Sequence, residues 1–316
     1  MALTKVEKIW MNGKWVAWDD ARIHILSHVA HYASSVFEGI RAYGQPNNGA
    51  AIFRLDEHMD RLMGSAKIYR MELPYTREQI RTATLEVVTV NELTDCYIRP
   101  LIYRGYENLG VNPFGSPVEV AVAAFPWGKY LGDDALLKGV AVKISSWWRF
   151  APNTLPALAK ASANYMNSQL MKMEALVDGY SEAIALDAQG FVSEGSGQNV
   201  FAVMKGELVT PPLSSSILAG ITRSTVMTLA ADLGYPVRES VIPREMLYLA
   251  DELFLAGTAV EVSPITSVDR IPVGAGVPGP VTKAIQSAFF GVVRGEQPDR
   301  HGWLTPVPQG AGSRTR

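Results

Sequence analysis

Short apolar strands and helix-period segments follow one another along this chain without a regular strand–helix–strand beat, and that irregularity restricts its architecture most. A doubly wound parallel sheet would need a helix after nearly every strand. Hairpin signals recur here instead. Residues 9–16 place Asn12-Gly13 between β-favouring apolar residues, the strongest short-range hairpin signal. Strands are expected at 40–43 and 51–54. A helix then starts near Asp56, with Met59, Leu62, Met63 and Ala66 on the 3.6-residue period. Thr76 and Gln79 make a capping box for a helix reaching about Val90. Strands over 97–103 and 118–125 follow, and Pro100 points to an edge or a bulge in the first.

The second half reads as a strand over 139–147 and a helix over 164–177. Hairpins then turn at Gln189-Gly190 and Lys205-Gly206. A helix from Thr222 ends before Gly234, residues 252–255 form a strand, and 280–293 form a helix. The fold class expected is α+β, and 316 residues suit two domains. A small N-terminal domain would span 1–125 and a larger one 138–316, joined by a loop over 126–137. That loop has Pro126, Gly128 and Gly132 beside Trp127 and Tyr130. It is either a lid packed on a site or an ordinary surface loop. The tail over 309–316 is small and polar and is expected to be disordered.

Composition excludes several classes. With 47% hydrophobic and 19% charged residues and a net charge of −2, the chain is neither a disordered segment nor a basic nucleic-acid binder. Its one cysteine, Cys96, rules out an intrachain disulfide and a cysteine-rich zinc site, and points to the cytoplasm. No secretory h-region and no membrane-length apolar run is visible.

Several residue groups could carry chemistry. His24, His28 and His31 are close in sequence, but no acidic residue at matching spacing completes a metal site, and a structural role is the stronger reading. Lys160 stands alone among small residues in PALAKASANY. Such a lysine is either a nucleophile for a carbonyl, with room for a bulky cofactor beside it, or a solvated loop residue. Glu194 lies in the glycine-rich turn SEGSG. It either awaits a cationic partner such as a pyridinium nitrogen or is simply exposed. Residues 218–225, LAGITRST, enter a helix whose free N–H groups suit a phosphate, though Thr222 could be a plain N-cap. Residues 256–259, AGTA, offer further N–H groups and a hydroxyl. Tyr97 and Arg99, two apart on a strand, face one side as a carboxylate clamp or a solvated face. No Walker, H-E-x-x-H, G-x-S-x-G or dinucleotide fingerprint is present.

Over about residues 9–303 the chain resembles the bacterial branched-chain amino acid aminotransferases, fold type IV pyridoxal phosphate enzymes with a D-amino acid aminotransferase-like fold. The motifs that carry the resemblance are HYASSVFEGIR from His31, YIRPL from Tyr97, AFPWG from Ala124, AK at Lys160, SEG at Ser193, GITR from Gly220 and GTA from Gly257. The resemblance implies pyridoxal 5′-phosphate as cofactor. Lys160 would hold it covalently and shuttle the proton at Cα, and Glu194 would keep its pyridine nitrogen protonated. Arg61, Ile221, Thr222 and Thr258 would bind the phosphate, Tyr165 would lie near the ring oxygen, and Gly197 belongs to the same cofactor set. Tyr97 and the N–H groups of Thr258 and Ala259 would take the α-carboxylate. Phe37, Tyr32, Trp127, Tyr130 and Tyr165 would form the apolar wall, with Gly39 alongside, and Arg99 would pair with the distal carboxylate of glutamate or 2-oxoglutarate. The activity implied is transfer of the amino group of L-leucine, L-isoleucine or L-valine to 2-oxoglutarate, by a ping-pong route through pyridoxamine phosphate. A D-amino acid or (R)-amine transaminase of the same fold is the alternative. The family further implies at least a homodimer, or a hexamer, with the loop at Leu109-Gly110-Val111 reaching the neighbouring subunit's site. Ser196, Gln198 and Val260 depart from residues common in relatives and bear on substrate preference.

Overall fold

The computed structural model describes residues 3–128, 130–132 and 134–308; the tail expected to be disordered, 309–316, lies outside them. The chain divides into two compact units. One holds residues 1–128, 159–163 and 292–316, and the other 129–158 and 164–291. These are not the linear halves suggested by the sequence. Segment 159–163, with Lys160, joins the first unit because it runs along the strand Ser35–Phe37, where Val36 bridges Ala161. The chain returns to this unit again when Leu304–Pro306 adds to Ala50–Phe53.

The first unit is built on an eight-stranded antiparallel sheet. The hairpin of Lys8–Met11 and Lys14–Ala17 turns at Asn12-Gly13, both at positive φ, as an Asn-Gly turn requires. It pairs with Val118–Pro126, which pairs along its whole length with Cys96–Arg104. Pro100 is therefore inside the sheet and not at an edge. It is tolerated because the neighbour on the other side breaks there: Ile40–Gly44 covers residues 96–98 and Ser35–Phe37 covers 101–103. At the break Pro100 serves only as acceptor, its carbonyl taking the Glu38 N–H at 2.9 Å. Helices Leu55–Ile68 and Arg77–Val90 supply the rest of the core, with Leu55, Met59, Leu62, Ile80 and Val87 fully buried.

The second unit has a nine-stranded mixed sheet. Val140–Ile144 runs parallel to both Glu182–Leu186 and Glu261–Val268, and Asn199–Met204 lies antiparallel to Glu252–Gly257. Phe201 and Phe254 stack across that pair at 5.0 Å. Glu194 belongs to a strand, Val192–Gly195, and not to the turn in which the sequence suggested it. Helix Ile221–Asp232 starts one residue earlier than expected. Among the described residues no helix is long and apolar enough to cross a membrane.

The capping box is present: Thr76 Oγ1 accepts from Gln79 N at 3.2 Å and Gln79 Oε1 accepts from Thr76 N at 2.8 Å. Thr76→Ala is expected to destabilise the first unit by about 1 kcal/mol, with Thr76→Ser close to wild type in urea unfolding.

Candidate active site

Backbone hydrogen bonds fix Lys160 before its side chain does anything. Phe37 N donates to Lys160 O at 3.0 Å, Ser162 N to Ser35 O at 2.9 Å, and Lys160 N to Ser65 Oγ at 3.0 Å. The Lys160 ammonium nitrogen then stands 5.1 Å from the centre of the Phe37 ring. On the adjoining strand, Arg99 places its guanidinium 4.6 Å from the same ring and 5.3 Å from that of Tyr97. Tyr97 in turn packs on Trp127 at 4.9 Å. Gly39 is what admits this arrangement, since a Cβ there would overlap the Tyr97 hydroxyl. Arg99 Nε is buried and has no hydrogen-bond partner among the described residues. A buried cationic donor without an acceptor suits an anionic ligand.

Beside this cluster lies a carboxylate that the sequence reading left without a role. Glu38 is fully buried. Arg61 grips it with Nε and Nη2 at 2.6 and 2.8 Å, and His58 Nδ1 lies 2.7 Å from its Oε2. Burial works to raise the Glu38 carboxyl, but the Arg61 charge and the hydrogen bonds from Arg61 and His58 outweigh it and hold the group far below the usual carboxylate range. Burial pushes His58 below its ordinary 6.5; Glu38 opposes this, and the charges of Arg61 and Lys160 add to it. His58 and Arg61 are three apart on one helix, so both reach one side. That spacing was the signal available in the sequence.

In the second unit three donors converge on buried Glu194: Arg149 Nη2 at 2.9 Å, Asn199 Nδ2 at 3.0 Å and Leu218 N at 3.1 Å. Arg149 and Asn199 were not singled out from the sequence. Asn199 also packs against Gly220, where a Cβ would overlap its amide oxygen. Gly220 is the N-cap of helix Ile221–Asp232 and, lacking a side chain, cannot itself cap that end. Ile221 and Thr222 open this helix, and both are buried. Thr258 and Ala259 occupy the turn after Glu252–Gly257, and Gly257 lies against the carbonyl of Gly197. Gln198 accepts the Gly197 N–H and donates to the buried Glu182 at 2.8 Å. Tyr165 is in the first turn of Asn164–Val177. Tyr130 has Lys172 Nζ 5.5 Å from its ring.

The first unit thus gathers Phe37, Gly39, Tyr97, Arg99, Trp127 and Lys160, with Arg61 beside them. The second gathers Glu194, Gly197, Ile221, Thr222, Thr258 and Ala259. Tyr32 is 43% exposed and packs on His28 at 4.5 Å. In the histidine group both ring nitrogens of His28, and one each of His24 and His31, contact protein groups. His28 contacts Ser34 Oγ and Gly110 O, His31 contacts Ile25 O, and His24 accepts from Leu26 N.

The family model for amino-transferase class IV matches residues 35–268. The chain belongs to this family. It is 52% identical over 308 residues to a branched-chain-amino-acid aminotransferase of Salmonella typhimurium, covering 97% of this chain and 99% of that protein. The Pseudomonas aeruginosa protein of the same name is 45% identical, covering 95% of this chain and 97% of its own length. Among solved structures, the Escherichia coli branched-chain amino acid aminotransferase superposes with a TM-score of 0.94 at 52% identity, covering 96% of this chain and 100% of that one. A branched-chain amino acid aminotransferase of T.th., complexed with N-(5′-phosphopyridoxyl)-L-glutamate, superposes with a TM-score of 0.91 at 45% identity, covering 96% of this chain and 99% of that one.

His58 gives a pH test of this geometry. Its folded-state proton affinity is lowered, so below about pH 6.5 the unfolded chain binds a proton that the folded chain does not, and stability falls as pH falls. His58→Gln is expected to flatten the decline of melting temperature on acidification from that point. An unchanged slope would contradict the buried, uncharged state of His58.

Proposed function

We propose that the protein is a pyridoxal phosphate-dependent transaminase that exchanges the amino group of L-leucine, L-isoleucine or L-valine with 2-oxoglutarate. The observation that carries this reading is the Lys160 amine set against Phe37 beside Arg99 and Tyr97, in a chain so similar to branched-chain aminotransferases over nearly its whole length. A D-amino acid or (R)-amine preference is not favoured, because the relatives at this identity are named for branched-chain amino acids.

The residues fit the cofactor on their own chemistry. A phosphate needs N–H groups and a cation; the second unit offers the N-terminus of a glycine-led helix and the first offers Arg61. A protonated ring nitrogen needs an anionic partner, and Glu194 is a buried carboxylate held in place by three donors. When bound, the cofactor supplies the electron sink that lets the substrate Cα lose its proton. Lys160 would hold the cofactor and, as a free amine, take the proton from Cα and return it to the cofactor carbon. Glu194 would keep the proton on the pyridine nitrogen. Arg61, Ile221, Thr222 and Thr258 would hold the phosphate, Tyr165 would orient the ring oxygen, and Gly197 would line the cofactor.

Substrate selection follows from the first unit's cluster. Tyr97, with the Thr258 and Ala259 N–H groups, would bind the α-carboxylate close to Gly39. Phe37, Trp127 and Tyr130 would exclude water around the branched side chain, and Arg99 would receive the distal carboxylate of the second substrate. We further propose a homodimer in the cytoplasm. Tyr32, Leu109 and Val111 are exposed at 43%, 54% and 87%, and they would complete the partner's apolar wall. The single cysteine is free and buried.

Two variants test this reading. Lys160→Ala is expected to abolish transamination and the visible band of the lysine-bound cofactor while non-covalent cofactor binding persists. Arg99→Ala is expected to raise KM for 2-oxoglutarate by about 10–100-fold, the worth of a charged hydrogen bond, while the half-reaction with L-leucine changes by less than about threefold. Equal losses on both substrates would contradict the role of Arg99.

A further inference from the structure

Glu38 is bound more tightly than a buried carboxylate needs for folding. It accepts Arg61 Nε and Nη2 as a fork, and His58 Nδ1 and Gly39 N both reach its Oε2, at 2.7 and 3.2 Å. Its own N–H is fixed on Pro100 O at 2.9 Å. Exchanging a buried ion pair for well-packed apolar residues is often neutral for folding, so stability alone gives little reason for such a trio. What the trio does provide is orientation. Two parallel bonds fix the plane of a guanidinium, where a single bond would leave it free to rotate. An arginine fixed before its ligand arrives loses less conformational freedom on binding.

We infer that Glu38 is a positioning residue that presents Arg61 to the cofactor phosphate, with His58 bracing the carboxylate. This rests on Arg61 being a phosphate ligand. His58 must carry its proton on Nδ1 to donate to Glu38. As a neutral donor it adds a hydrogen bond without competing for the carboxylate's charge, which stays with Arg61. The charged groups acting on His58 are Glu38, Arg61 and Lys160. The same carboxylate also braces the Phe37–Gly39 backbone, whose Phe37 N–H holds the Lys160 carbonyl at 3.0 Å. Glu38 therefore ties the phosphate-side arginine to the strand edge on which the reacting lysine is seated.

The test is a titration of apoprotein with pyridoxal phosphate, followed by tryptophan fluorescence, on Glu38→Gln, Arg61→Lys and the double variant. The amide introduced by Glu38→Gln would turn an N–H toward the guanidinium donors and break the fork. Kd for pyridoxal phosphate is expected to rise by about 10–100-fold, the usual cost of removing an outer partner of a ligand-holding side chain. Arg61→Lys is expected to raise it at least as much, and the double variant no further than Arg61→Lys alone, because both changes act through one contact. kcat at saturating cofactor should fall less than affinity does. Should Glu38→Gln fail to fold, Glu38→Asp keeps the charge, withdraws the fork by one methylene, and is expected to weaken binding in the same direction. Affinity unchanged within about twofold in the Glu38 variant but weakened in Arg61→Lys would overturn the inference and leave the role of Arg61 standing. Affinity unchanged in Arg61→Lys would overturn the phosphate role and the inference with it. Fully additive losses would also overturn it, since they would mean that Glu38 acts by supporting the fold and not through Arg61.

Discussion

The pairing of residues 159–163 with the strand Ser35–Phe37 is the constraint on which the rest of the first unit's chemistry depends. A lysine on a free loop would have no fixed position. Here the Lys160 carbonyl and amide are both engaged, and Ser35 Oγ and Ser162 Oγ are hydrogen bonded at 2.6 Å one step away. The side chain lies over Phe37. That places the Lys160 side-chain nitrogen against an apolar ring, with Arg99 on the same ring. Because Ala159 and Ala161 are buried in the first unit's core, Lys160 is anchored by hydrophobic packing as well as by hydrogen bonds.

The two units supply different kinds of chemistry. The first contributes cations and aromatic faces: Lys160, Arg61, Arg99, Phe37, Tyr97 and Trp127. The second contributes an anchored carboxylate and backbone N–H groups, at Glu194 and at the start of helix Ile221–Asp232. In each, glycine permits a close approach that a Cβ would forbid, Gly39 against the Tyr97 hydroxyl and Gly220 against the Asn199 amide. Each glycine thus sets the position of a polar side chain.

Much of this was legible in the sequence because local chemistry and global fold agree. The Asn12-Gly13 hairpin, the Thr76–Gln79 capping box and the helix over residues 164–177 are written in a few adjacent residues. Local residue patterns singled out Lys160, Glu194, Tyr97 and Arg99 with alternatives open, and motif resemblance chose between the readings. Long-range pairing was not legible. Pro100 reads as an edge or bulge residue until the neighbouring strand is seen to break opposite it. Segment 159–163 reads as part of the C-terminal domain until its partner strand is known. Glu38 lies inside a quoted motif, yet its importance comes from His58 and Arg61, twenty and more residues away. Arg149 and Asn199 were missed for the same reason: each matters through the atom it contacts, and no short pattern records that contact.

The most direct test of the central claim is a single-turnover absorbance measurement on the holoenzyme, mixed separately with L-leucine and with (R)-1-phenylethylamine. Rapid loss of the visible cofactor band with L-leucine, and slow or no loss with the amine, is the result expected of a branched-chain transaminase. Loss with the amine alone would contradict the branched-chain assignment, and a purified protein that never acquires the band on addition of pyridoxal phosphate would contradict the role of Lys160.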